Sequence, residues 1–191
     1  MKADNAIAVR GSIQEKAGNR KISLADAIME IDVLVLVDSS ASMEQVTSGG
    51  SKHQVAAREL ADIQRQYPGK VGVISWSSDY GDGDGIVFCP SGVPVQINRN
   101  TDMAAVLRYV SDADGVVRII LISDGVPNSE EDALTVARTY KHGIDTVFIG
   151  DESDPGAAFL RKLSSLTKGK YGGARDVMQL APGIKLLMDG R

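Results

Sequence analysis

Cysteine is nearly missing from this chain: Cys89 stands alone in 191 residues. It has no internal partner for a disulfide and cannot assemble a thiolate metal site. A buried strand position is its expected role. Positive charge is not in excess either. Lys and Arg number 21 against 25 Asp and Glu, a net charge of -4, and they are scattered rather than clustered. This excludes the basic footprint of a nucleic-acid binder and makes an anionic membrane surface a poor partner. No run reaches the roughly 18 consecutive apolar residues of a spanning helix. The stretch Ala6-Ile7-Ala8-Val9 is too short for the core of a secretion signal. The expectation is a soluble, cytoplasmic protein. Phosphate-cradling glycine loops are absent too: neither Gly-x-x-x-x-Gly-Lys-Ser/Thr nor Gly-x-Gly-x-x-Gly occurs at a strand-to-helix junction.

What is present is a strand and helix rhythm that begins after residue 30. Two dense apolar runs, Ile31-Asp32-Val33-Leu34-Val35-Leu36-Val37 and Val116-Val117-Arg118-Ile119-Ile120-Leu121-Ile122, have the composition of strands buried on both faces. Strands are predicted over 31–38, 70–77, 116–123 and 144–149, with a short one near 170–172. Helices are predicted near 51–67, from a Thr101 cap to about 111, from Ser129 to Lys141-His142-Gly143, and near 155–166, with another in 175–189. In the first of these, Val55, Ala56, Leu60 and Ile63 recur at helical spacing, and Pro68-Gly69 stops it. The turn Gly81-Asp82-Gly83-Asp84-Gly85 sends the chain back into Ile86-Val87-Phe88, which predicts a hairpin and one antiparallel edge strand. The fold class that follows is α/β: a doubly wound, Rossmann-like, mostly parallel sheet with helices on both faces. Residues 1–30 form an extension of uncertain structure, and 31–191 form the domain.

Ligands of such sheets bind beyond the carboxyl ends of the strands, and the polar residues fall there. Asp38, Ser40 and Ser42, spaced i, i+2, i+4, leave the first apolar run; on an extended segment they point the same way. Asp124 leaves the second run. Thr101 starts a helix, whose N-terminus faces the same edge. All five offer oxygen, and none offers sulfur or imidazole nitrogen. Oxygen-only donors favour Mg²⁺, Mn²⁺ or Ca²⁺ over zinc or copper. A small octahedral ion such as Mg²⁺ takes only one or two carboxylates and keeps waters.

Asp38-Ser39-Ser40-Ala41-Ser42-Met43 resembles the Asp-x-Ser-x-Ser motif of von Willebrand factor A-type domains. Thr101, in Asn100-Thr101-Asp102-Met103, resembles the family's second-loop threonine. Ile122-Ser123-Asp124-Gly125-Val126-Pro127 resembles its third-loop aspartate motif. The likeness extends over roughly 31–181 and includes Val71-Gly72-Val73-Ile74-Ser75-Trp76 and Phe148-Ile149-Gly150. Together the three motifs resemble a metal-ion-dependent adhesion site with every element in order. The resemblance implies a bound metal whose open coordination position accepts an Asp or Glu of a partner protein, with specificity from the surrounding loops.

Simpler roles stand beside these. Asp38 and Asp124 could satisfy backbone amides at strand ends, and Thr101 could serve only as a helix cap. Ser39 is expected to bond backbone, Trp76 to lie in the core, and His142 to act as a base at a helix C-terminus. Asp82 and Asp84 lack the remaining positions of a calcium-binding helix-loop-helix and read as turn residues. Asp151, Glu152 and Asp154 read as a solvated loop near the site. Two other functions compete with partner binding. One is a metal-dependent phosphohydrolase with Asp38 as nucleophile, but the acid expected two residues on is Ser40, and no Ser/His/Asp arrangement involves His53 or His142. The other is a scaffold whose metal is purely structural. The expectation is a binding module and not an enzyme.

Overall fold

The computed structural model describes residues 31–47, 50–77, 86–89 and 100–174, together with Lys185. The N-terminal extension, the turn at 81–85 and all but Lys185 of the helix expected in 175–189 lie outside the described residues.

Six strands form one sheet: β1 (Val33–Asp38), β4 (Val71–Trp76), β5 (Ile86–Cys89), β6 (Arg118–Ser123), β7 (Ile144–Ile149) and β8 (Tyr171–Ala174), in the order β5-β4-β1-β6-β7-β8. All pair in parallel except β5, which runs antiparallel to β4 and places Cys89 opposite Val73. A two-stranded ribbon, β2 (Val46–Thr47) with β3 (Gly50–Ser51), decorates the loop after β1. The helices are α1 (Lys52–Gln66), α2 (Met103–Tyr109), α3 (Glu130–Ala137) and α4 (Pro155–Thr167). None of the described helices is long and apolar enough to cross a membrane.

The unbroken apolar runs follow from burial on both faces. In β1, Leu34 and Leu36 join Met103, Leu107, Leu134 and Leu160 of α2, α3 and α4 in one core cluster. Their neighbours Val33, Val35 and Val37 join Val55, Leu60 and Ile63 of α1 in another. Strand periodicity sends alternate residues to opposite faces, so every position of β1 is buried. Winding starts at β1 and proceeds through α1 to β4 on one side, then resumes at β6 on the other. The order therefore reverses between β1 and β6, and a crevice opens at such a switch point.

Two helices differ from expectation at their ends. The cap of α2 is Asp102, whose carboxylate accepts the Ala105 N–H at 3.0 Å, rather than Thr101. The helix ends at Tyr109 and tightens into a 3-10 turn over Ser111–Ala113. Helix α3 stops at Ala137, short of Lys141 and His142. Their backbone N–H groups donate instead to Asp114, at 2.7 and 3.1 Å. His142 is thus not a helix-terminal base; it lies past the helix in a turn held by that carboxylate.

Candidate functional site

Register brings the site together. Pairing of Val37 with Ile122 leaves Asp38 and Ser123 as the next residues on adjacent strands. The Ser123 hydroxyl donates to Asp38 Oδ2 at 2.5 Å, and the Ser40 backbone N–H donates to Oδ1 at 2.8 Å. An aspartate accepting from the amide two residues on is a local turn-former. It sets Ser40 and Ser42 with their hydroxyls 3.0 Å apart. Ser42 in turn donates to Asp124 Oδ1 at 2.7 Å. Asp38, Ser40, Ser42 and Asp124 are therefore one connected cluster built from two strand ends. Ser39, between them, faces the other way, and its hydroxyl donates to the Trp76 carbonyl at 2.9 Å. Trp76 itself is fully buried.

Thr101 is not hydrogen-bonded to that cluster; its backbone is tied to the third loop. Its N–H donates to Asn128 Oδ1 at 2.9 Å, and Asn128 returns its own N–H to the Thr101 carbonyl at 2.9 Å. This reciprocal pair ties the second loop to the third. Because Asp102 caps α2, helix capping does not account for the Thr101 hydroxyl. That hydroxyl makes no hydrogen bond to the other four residues.

Three participants are not evident from the motifs alone. Ser123 is one, and Asn128 is another. The third is Lys52, whose ammonium lies 2.7 Å from Asp124 Oδ2. The Asp124 side chain is fully buried and that of Lys52 is 12% exposed. A sequence signal for Lys52 exists. It occupies the first position of α1, directly after the Ser51 cap, where the helix dipole disfavours a cation. A lysine there calls for a nearby acid, and none lies in the first turn.

The electrostatics of the two acids differ. Asp38 has no ion-pair partner among the described residues. Burial, with a small push from the Asp124 charge, raises its carboxyl from 3.8 to about 6, against the hydrogen bonds from Ser123 and Ser40. On the rim, Asp151 accepts the Ser153 N–H and hydroxyl at 2.9 and 2.8 Å. Glu152 is held by Arg161 and by the Tyr171 hydroxyl, so it is not the freely solvated side chain expected. His53 is buried on α1 with neither ring nitrogen hydrogen-bonded; burial lowers its pKa, against the Glu44 charge.

The donor set matches a small hard cation. Two adjacent ligands of an octahedral Mg²⁺, each at about 2.1 Å, are about 3.0 Å apart; the Ser40 and Ser42 oxygens have that separation, 3.0 Å. Among the described residues no group of three or more His, Cys, Asp or Glu side chains forms a metal-binding cluster. The candidate centre instead combines two carboxylates with hydroxyls, which suits few direct carboxylate bonds and retained water.

No protein-family model and no curated protein matches the chain. Solved structures do. VWA2, the ArnB paralog of Sulfolobus acidocaldarius, superposes with a TM-score of 0.59 at 21% identity, over 80% of this chain and 43% of that one. An aerotolerance-related membrane protein of Bacteroides fragilis, carrying multiple mutations to serine, gives 0.63 at 14% identity, over 84% and 100%. BatB, a conserved hypothetical protein of Bacteroides thetaiotaomicron, gives 0.60 at 16%, over 84% and 98%. The chain spans less than half the length of the Sulfolobus protein. The likeness is one of fold: the chain has the α/β architecture of von Willebrand factor A-type domains.

Proposed function

We propose that this chain is a divalent-metal-dependent protein-binding module that captures an Asp or Glu side chain of a partner protein. The metal is Mg²⁺ in this reading, with Mn²⁺ or Ca²⁺ as alternatives, and Asp38, Ser40, Ser42, Thr101 and Asp124 form its site. The observation that carries the reading is the convergence of two serine hydroxyls and two carboxylates at the topological switch point. The fold supports it, since domains of this architecture are commonly protein-interaction modules.

When bound, the ion would supply a Lewis-acidic centre able to accept a carboxylate oxygen. The chain does the rest. Ser40 and Ser42 would offer neutral oxygens, so the chain would bring no negative charge to the ion beyond that of Asp38 and Asp124, and the ion would stay open to an incoming acid. Asp38 holds the first loop in shape through the Ser40 amide. Asp124 orients the Ser42 hydroxyl. The Thr101–Asn128 pair fixes the second loop against the third. The reading assigns no catalytic step to these residues.

Capture is tested with an identified partner, in Mg²⁺ and again in chelator. Binding is expected in Mg²⁺ alone, and loss is expected for Ser42→Ala and Asp38→Ala. Undiminished capture by either variant, or in chelator, would overturn the reading. Unfolding on chelation would favour a structural metal instead.

A further inference from the structure

We infer that Lys52 is a resident, tethered cation at the candidate metal centre, competing with the divalent ion for Asp124 and setting the centre's affinity for it. This inference rests on the metal reading above and concerns its regulation. Four observations carry it. Lys52 Nζ lies 2.7 Å from Asp124 Oδ2. Both side chains are withdrawn from water, at 12% and 0% exposure, so the contact is not a screened surface pair. The lysine sits at the end of α1 where a cation is least favoured, so the helix itself does not hold the ammonium there. Its backbone is anchored on both sides: Ser51 and Gln54 form a reciprocal capping box, and the Lys52 N–H donates to the Gln45 carbonyl at 3.1 Å in the first loop. The ammonium is thereby tethered to the loop that carries Ser40 and Ser42.

Both oxygens of Asp124 already accept a donor, Oδ1 from Ser42 and Oδ2 from Lys52. A carboxylate oxygen accepts more than one bond, so crowding alone does not expel the lysine. Charge does. Asp38 and Asp124 offer two negative charges, and Lys52 neutralises one of them. An incoming dication balances the pair only when the ammonium withdraws; with the ammonium retained, two cations share one buried carboxylate. Binding of the metal and release of Lys52 are therefore coupled. By linkage, removing the lysine charge tightens the metal.

The test is a Mn²⁺ titration of the full chain, read by calorimetry or by the loss of the free-ion paramagnetic signal. Wild type, Lys52→Met, Lys52→Gln and Ser42→Ala are compared. Lys52→Met keeps the aliphatic stem and removes the charge, and Lys52→Gln serves if the first variant does not fold. Each neutral variant is expected to bind Mn²⁺ at least tenfold more tightly than wild type. Equal or weaker binding, with Ser42→Ala still abolishing it, would overturn the competition while leaving the metal reading in place. No binding by any protein would overturn both. A second measurement uses the unaltered protein. Acetylation of Lys52, followed by mass spectrometry, is expected to rise severalfold on adding Mn²⁺, as the ammonium leaves Asp124. Unchanged or reduced labelling under saturating Mn²⁺ would contradict displacement.

Discussion

Asp38 is an acid whose charge is opposed by burial. It is fully buried and has no cationic partner among the described residues, and its carboxyl is raised to about 6. The native state therefore holds a proton that the unfolded chain releases at its ordinary value of 3.8. The contribution of Asp38 to stability is best below about pH 4 and declines as pH rises through 6. A shift of this size corresponds to about 3 kcal/mol. Asp38→Asn is expected to flatten that decline and, in chelator at pH 7, to be about 1–2 kcal/mol more stable than wild type. Urea unfolding of both proteins at pH 4.5 and 7 checks it; an Asn variant that is less stable at pH 7 contradicts the burial argument. Asp124 differs in having a cationic partner, Lys52. Asp124→Ala leaves the Lys52 ammonium buried and unpaired, at an expected cost of about 3 kcal/mol. Adding Lys52→Met to that variant should recover much of the loss. A double mutant no more stable than Asp124→Ala would mean that the pair contributes nothing.

At the level of elements, the site is held by what packs behind it. The third loop passes directly under the start of α4. A Cβ placed on Gly156 would lie 2.9 Å from the Phe148 ring and 3.1 Å from the Gly125 carbonyl carbon. Gly156→Ala is expected to cost about 1–3 kcal/mol and to weaken metal binding by displacing the loop that carries Asp124. Thermal unfolding and a Mn²⁺ titration of the variant read the two effects; wild-type values for both would show that the contact is slack. Helix α1 was legible in the sequence because apolar spacing and Pro68-Gly69 mark it, and β1 and β6 because their runs are unbroken. Helix ends were less legible. Thr101 and Asp102 are both good caps, and the choice between them depends on Asn128, 27 residues away. Lys141 and His142 carry the charge expected of a helix terminus, but Asp114 claims their amides from another turn.

Across the whole molecule, the division of labour is plain. The two apolar clusters on either face of the sheet stabilise the fold, and the polar cluster sits at its edge. Chelation is accordingly expected to abolish partner capture while the protein still unfolds in one cooperative transition. Trp76, the chain's one tryptophan, reports it from beside Asp38 in the ladder. The candidate site was legible as far as its motifs reached: Asp38, Ser40, Ser42 and Asp124 are joined as their positions at strand ends require. Ser123 escaped because strand register brings it in, and the helix-start position of Lys52 calls for an acid without saying which one. Anomalous diffraction from crystals grown in Mn²⁺ tests the metal centre. One peak is expected at bonding distance from the Ser40 and Ser42 hydroxyls, with the Lys52 ammonium turned away from Asp124. At saturating Mn²⁺, no peak between those hydroxyls and Lys52 still on Asp124 would contradict it.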